Sequence, residues 1–120
     1  MITNDSCCTI APYFTIHEGK QTAVEEICGR LIEKTKSEEK CLYYGFSFDG
    51  DLMFCREAYE DAAGLLFHLQ NVGSLLEELL TLTDLTRLEI HAPEEEQVKL
   101  REPLEKLKPR FFTVKYGFRR

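Results

Sequence analysis

The chain has 120 residues, 15 Lys and Arg against 21 Asp and Glu, and a formal net charge of −6. That length makes one domain with a single core, and the acidic balance argues against a surface that grips phosphates, so nucleic acid is a poor candidate partner. No apolar run approaches the roughly 20 residues of a membrane span, so no membrane partner is expected. The N-terminal MITNDSCC lacks the basic and apolar zones of a secretory signal, which points to the cytoplasm.

Residues 1–7 read as a loose lead-in. Residues 8–17, CTIAPYFTIH, alternate β-branched and aromatic side chains as a strand does, with Pro12 marking an edge or a bulge. Gly19 breaks this run. From Lys20 to Lys36, Ala23, Val24, Ile27, Cys28, Leu31 and Ile32 recur at helical spacing between charges, which predicts an amphipathic helix with one buried stripe.

A hairpin follows, with strands over 40–48 and 51–59 about Asp49-Gly50, a dipeptide that tolerates the positive φ angles of a type I′ turn. That turn pairs Phe48 with Asp51, Phe46 with Met53, Tyr44 with Cys55 and Leu42 with Glu57. One face then carries Leu42, Tyr44, Phe46, Met53, Cys55, Glu57 and Tyr59, and the other Cys41, Tyr43, Gly45, Ser47, Leu52, Phe54 and Arg56. Both faces are largely apolar, so both need cover.

Glu60-Asp61 opens a second helix with acids in its first turn, and Ala62, Leu65, Leu66 and Leu69 form its apolar stripe. His68 falls about 110° from the centre of that stripe, at the boundary between core and solvent. SLLEELLTL predicts a short helix with Leu75, Leu76, Leu79 and Leu80 on one side, and residues 85–92 read as a strand. PEEEQVKLREPLEKLKP reads as a helix interrupted near Pro103, with Glu94, Glu95 and Glu96 as solvated acids at its start. The tail FFTVKYGFRR reads as a final strand. The order is α+β, the βαββαβ order of a ferredoxin-like fold, in one domain of which 93–120 is an extension.

Cys7, Cys8, Cys28, Cys41 and Cys55 are odd in number and form no CxxC pair, so neither a disulfide framework nor a structural zinc site is expected. Cys28, Cys41 and Cys55 read as small buried hydrophobes, and Cys7-Cys8 as an exposed vicinal pair.

Residues 52–69, LMFCREAYEDAAGLLFHL, resemble the signature of the antibiotic biosynthesis monooxygenase-like proteins: a strand ending in Glu, any residue, then an aromatic, followed by an acidic helix start and a His. Glu57, Tyr59 and His68 occupy these positions. Cys41 to Phe46 fits the family's residues before the hairpin, and the resemblance spans about 8–92. It implies a dimeric α/β barrel, with the last strand able to reach across the dimer, and a homodimer as the working form. The superfamily includes oxygenases that oxidise aromatic polyketides without metal or flavin, haem-degrading enzymes and isomerases. Haem degradation is disfavoured, because the chain has no Trp and Glu78, ten residues after His68, stands where a haem-ligating His is expected. No cofactor or metal is therefore expected.

His68 is the candidate acid or base, because imidazole titrates near neutrality; otherwise it is a boundary His bonded to backbone or to Glu57. Glu57 either holds that His in one tautomer, receives a proton itself, or forms a salt bridge with Arg56 or Arg87. Tyr44, Tyr59 and Tyr43 suit contact with an aromatic substrate, although aromatics in strands more often belong to a core. His17 and His91 read as exposed strand-end residues. The leading expectation is a cofactor-independent monooxygenase or related small enzyme acting on an aromatic or enolisable molecule. The alternatives are a non-catalytic dimeric ligand-binding or regulatory barrel, and a metal enzyme built on His17, His68 and His91.

Overall fold

The computed structural model describes residues 2–120. Strand β1 (Cys8–Ile16) leads to helix α1 (Gln21–Thr35), the hairpin β2 (Cys41–Asp49) and β3 (Leu52–Tyr59), then helices α2 (Ala62–Asn71) and α3 (Gly73–Leu80). Strand β4 (Thr83–Ala92), helix α4 (Glu94–Arg101), a 3-10 turn at Glu105–Leu107 and β5 (Arg110–Thr113) complete the chain. The sheet order is β2-β3-β1-β4-β5. The first four strands are antiparallel, as the ferredoxin-like reading requires, and β5 adds parallel to β4.

The hairpin turn differs from the expected one. Asp49 pairs with Leu52, so Gly50-Asp51 is the two-residue loop. Gly50 alone takes a positive φ, 61°, as the first central residue of a type II′ turn. Tyr44 therefore stands opposite Glu57 instead of Cys55. A slip of two residues preserves side-chain direction, so Tyr44, Phe46, Met53, Cys55 and Glu57 keep a common face. A bulge between Cys41 and Tyr43 breaks that pattern at the far end, placing Cys41 opposite Tyr59 and leaving Leu42 at the surface.

The core has two apolar clusters on the helix side of the sheet. One gathers Phe14, Val24, Leu31, Met53 and Leu79 under α1 and α3, and the other Ile10, Tyr59, Leu65, Ile90 and Leu100 under α2 and α4. Cys8 belongs to the second cluster and is fully buried, so Cys7-Cys8 is not an exposed pair.

Two carboxylates hold the start of α2. Asp61 is the N-cap and accepts from the Gly64 backbone N–H at 2.8 Å, while Glu96 accepts from the Ala62 N–H at 2.9 Å. Glu96 is thus buried, contrary to its reading as a solvated acid, because the unpaired donors at a helix start attract it.

The tail is a strand only through Thr113, where Gln97 donates to the Ala92 carbonyl and the Thr113 hydroxyl. Beyond it, the Lys115 carbonyl accepts from the Thr3 N–H, and Arg119 pairs with Asp5. Residues 2–7, read as loose, are thus bonded to the chain's end.

Gly64 sets how closely α2 can approach the hairpin. A Cβ there would stand 2.7 Å from the Lys40 Cβ and 3.4 Å from the Tyr59 Cβ, atoms fixed to backbone and unable to swing aside. Gly64→Ala is expected to lower the unfolding free energy by about 1–3 kcal/mol in urea titrations. An unchanged midpoint would show that α2 is free to move outward.

Candidate active site

His68 is 1% exposed, deeper than the boundary position read from the leucine stripe. The buried side of α2 is Ala62, Gly64, Leu65 and His68, while Leu66 and Leu69 are only partly covered. A count of large apolar residues overlooks Gly64, whose missing side chain lets the helix roll towards β3 and carries His68 inward.

Glu38 meets the ring there. It lies just past the end of α1, where its N–H bonds to the Thr35 carbonyl, and its side chain is 2% exposed. His68 Nδ1 is 3.1 and 2.9 Å from the two Glu38 oxygens, and the Asn71 amide donates to Oε2 at 2.9 Å. A carboxylate can only accept, so the ring proton of neutral His68 sits on Nδ1 and the lone pair on Nε2. Glu38 was missed in the sequence because Ser37-Glu38-Glu39-Lys40 has the composition of a solvated loop.

Nε2 faces Glu57, whose Oε1 is 3.6 Å away, beyond hydrogen-bond length but open to a small shift or a bridging substrate atom. The Tyr59 hydroxyl donates to the same oxygen at 2.5 Å. Neither Arg56 nor Arg87 pairs with Glu57: Arg56 covers the Tyr43 ring on the other sheet face, and Arg87 pairs with Glu89.

Burial raises the Glu57 pKa to about 7, opposed by the bonds from Cys55 and Tyr59 and reinforced by the charge of Glu38. Burial also lowers the His68 pKa, against the pull of Glu38. Near neutrality the imidazole is therefore uncharged and Glu57 is close to half-ionised. The Tyr44, Tyr59 and Cys55 groups are pushed up by burial and stay protonated.

These groups close the polar end of a cavity of about 270 Å³ between the sheet and α2–α3. Its walls are mostly apolar, among them Phe14, Phe46, Leu76, Leu79 and Leu88, with Tyr44, Glu57 and His68 supplying the inner polar atoms and Glu77 another carboxylate. Leu80 and Leu107 also line it and are exposed, placing the mouth beside them.

Of the expected site residues, His68, Glu57 and Tyr44 meet in this cavity. Tyr59 stands behind Glu57 as its donor and does not line the space. Tyr43 points to the opposite sheet face, away from His68. His17 bonds to Asp84 at the surface, and His91 bonds to Glu89 and stacks on Phe112, so the three histidines do not converge.

Comparison with protein-family models and with curated proteins gave no match. Among solved structures, MupZ from Pseudomonas fluorescens is 45% identical, with a TM-score of 0.94 over 100% of this chain and 94% of its own. A candidate antibiotic biosynthesis monooxygenase from Chloroflexus aurantiacus shares 19% identity and a TM-score of 0.62 over 73% of this chain and 93% of its own. Rv0793 from Mycobacterium tuberculosis shares 22% identity and a TM-score of 0.64, over 73% and 95%. MupZ is matched along the whole chain and the more distant proteins share the fold of its sheet and helices, so the chain belongs to one family with MupZ and has the fold of the antibiotic biosynthesis monooxygenase-like proteins.

Proposed function

We propose that this protein is a small-molecule enzyme in which Glu57 and His68 move a proton on an aromatic or enolisable substrate held in the apolar cavity. The observation that carries this reading is a buried carboxylate, raised to about 7, beside a neutral imidazole at the polar end of that cavity. A general base works best when its pKa lies near the working pH and its site excludes water. Glu57 takes the proton, Tyr59 holds the carboxylate in place, and Tyr44 bonds a polar atom of the substrate. In a cofactor-independent oxygenase, the resulting substrate anion is the electron donor to oxygen.

The other face of the sheet supports a homodimer. Tyr13, Tyr43 and Leu52 are 37%, 39% and 51% exposed there, with Phe54 packed against the Tyr13 ring, and family members are generally dimeric. The five cysteines are free thiols, in keeping with work in the cytoplasm. Light scattering at micromolar concentration is expected to give a dimer for the native chain and a monomer for Tyr13→Glu/Leu52→Glu. A native monomer would remove the dimer from the account.

The base is testable without the natural substrate. Ring-opening of 5-nitrobenzisoxazole, a compact aromatic that releases a coloured phenolate when its C–H proton is removed, should proceed faster as pH rises through about 7. Glu57→Gln is expected to reduce the rate by about 10²-fold or more, and His68→Ala by a smaller factor. A wild-type rate no greater than that of Glu57→Gln would contradict the assignment.

The same burial predicts a pH-dependent stability difference. A carboxyl whose pKa is raised in the folded state destabilises the fold only once it ionises, so the cost is absent below its ordinary 4.5 and complete above about 7. Glu57→Gln should therefore gain about 3 kcal/mol relative to the native chain between about pH 4.5 and about pH 8 in denaturant titrations. A constant difference would mean that Glu57 titrates normally.

A further inference from the structure

Glu38 does more than orient a ring, because it faces a different space from the one Glu57 faces. A cleft of about 220 Å³ opens between the end of α1 and the start of β2, lined by Ile32, Thr35, Lys36, Glu38, Cys41 and the two tyrosines 43 and 44. Tyr44 is the one lining residue it shares with the substrate cavity. His68 bridges the two spaces, with Nδ1 on the Glu38 side and Nε2 on the Glu57 side.

We propose that Glu38 is a positioning residue that also gives the site a second door, for protons alone, so that the buried pair exchanges protons with bulk water while substrate fills the cavity. This rests on the acid–base reading of Glu57 and His68.

The transfer is balanced. After Glu57 takes a proton from substrate, that proton passes to His68 Nε2 as the Nδ1 proton passes to Glu38. One O–H and one N–H bond break, one of each forms, and the ring is left as its other tautomer with Glu57 again a carboxylate. In the return step Nε2–H protonates the substrate at another atom while Glu38 returns a proton to Nδ1. The ring is reset and no net proton is consumed.

The surroundings suit a carrier that water can reach. The carboxyl is held by the Asn71 amide and His68, with no Lys or Arg within ion-pair distance among the described residues; Lys36 pairs with Glu33, and Lys34 offers Asn71 only its backbone carbonyl. Cys41 and Tyr44 flank the cleft as neutral donors raised by burial. The Thr35 hydroxyl is buried at the cleft and faces the Tyr44 hydroxyl, so polar atoms line the path from the cleft to the cavity.

The test follows the His68 ring proton by NMR of protein labelled with [15N]histidine, with 1-naphthol as the apolar probe that fills the cavity. The proton is expected on Nδ1 and to exchange with water at much the same rate with and without saturating 1-naphthol. Glu38→Gln, and Ile32→Phe placed to fill the cleft, should each slow that exchange by about tenfold or more, whereas Glu38→Asp should restore most of it. Exchange that stops once 1-naphthol binds, or that ignores Glu38→Gln and Ile32→Phe, would overturn the second door. If 1-naphthol leaves the cavity signals unmoved, the cavity reading fails separately, and the Glu38→Gln and Ile32→Phe arms still decide the role of Glu38.

Discussion

The bond between Glu38 and His68 is the constraint on which the site depends. A carboxylate 2% exposed is expensive to bury unless its lone pairs are occupied, and here His68 and Asn71 occupy them. Both partners come from α2, so the same contacts tie the end of α1 to that helix and fix the imidazole in one orientation. Glu57 is left on the far side of the ring without a cation. Its pKa is raised by burial in that position, with no cation paired to the carboxyl among the described residues.

The rest of the fold packs apolar side chains along both flanks of this line. The two apolar clusters lie to either side, and the cavity draws wall residues from both, Phe14 and Leu79 from one and Ile10 from the other. Asp61 and Glu96 hold the start of α2, and Gly64 lets it sit against the hairpin. Small displacements of this helix therefore change the chemistry, because they alter the separation of Nε2 from Glu57. The C-terminal extension contributes through Glu96 and through Leu107 at the cavity mouth, which makes it part of the site's architecture.

Much of the fold was legible because strand alternation and helical spacing are local signals. The hairpin faces do not depend on which two residues form the turn, since a two-residue slip leaves side-chain direction unchanged, and Tyr44 and Glu57 face the cavity in either register. The features missed were those set by contacts distant in sequence. Glu38 and His68 are thirty positions apart and Ala62 and Glu96 thirty-four, and an acid in a charged stretch carries no local mark of burial. Residue type alone does not separate Tyr43 and Tyr59 from Tyr44. Strand direction sends Tyr43 to the other face, and the hydroxyl of Tyr59 is committed to Glu57.

The central claim is that Glu57 is a buried carboxyl with a proton affinity suited to base chemistry near neutrality. A 13C NMR titration of its side-chain carboxyl measures this directly. The account predicts a midpoint of about 7, and a midpoint at the ordinary 4.5 would contradict it.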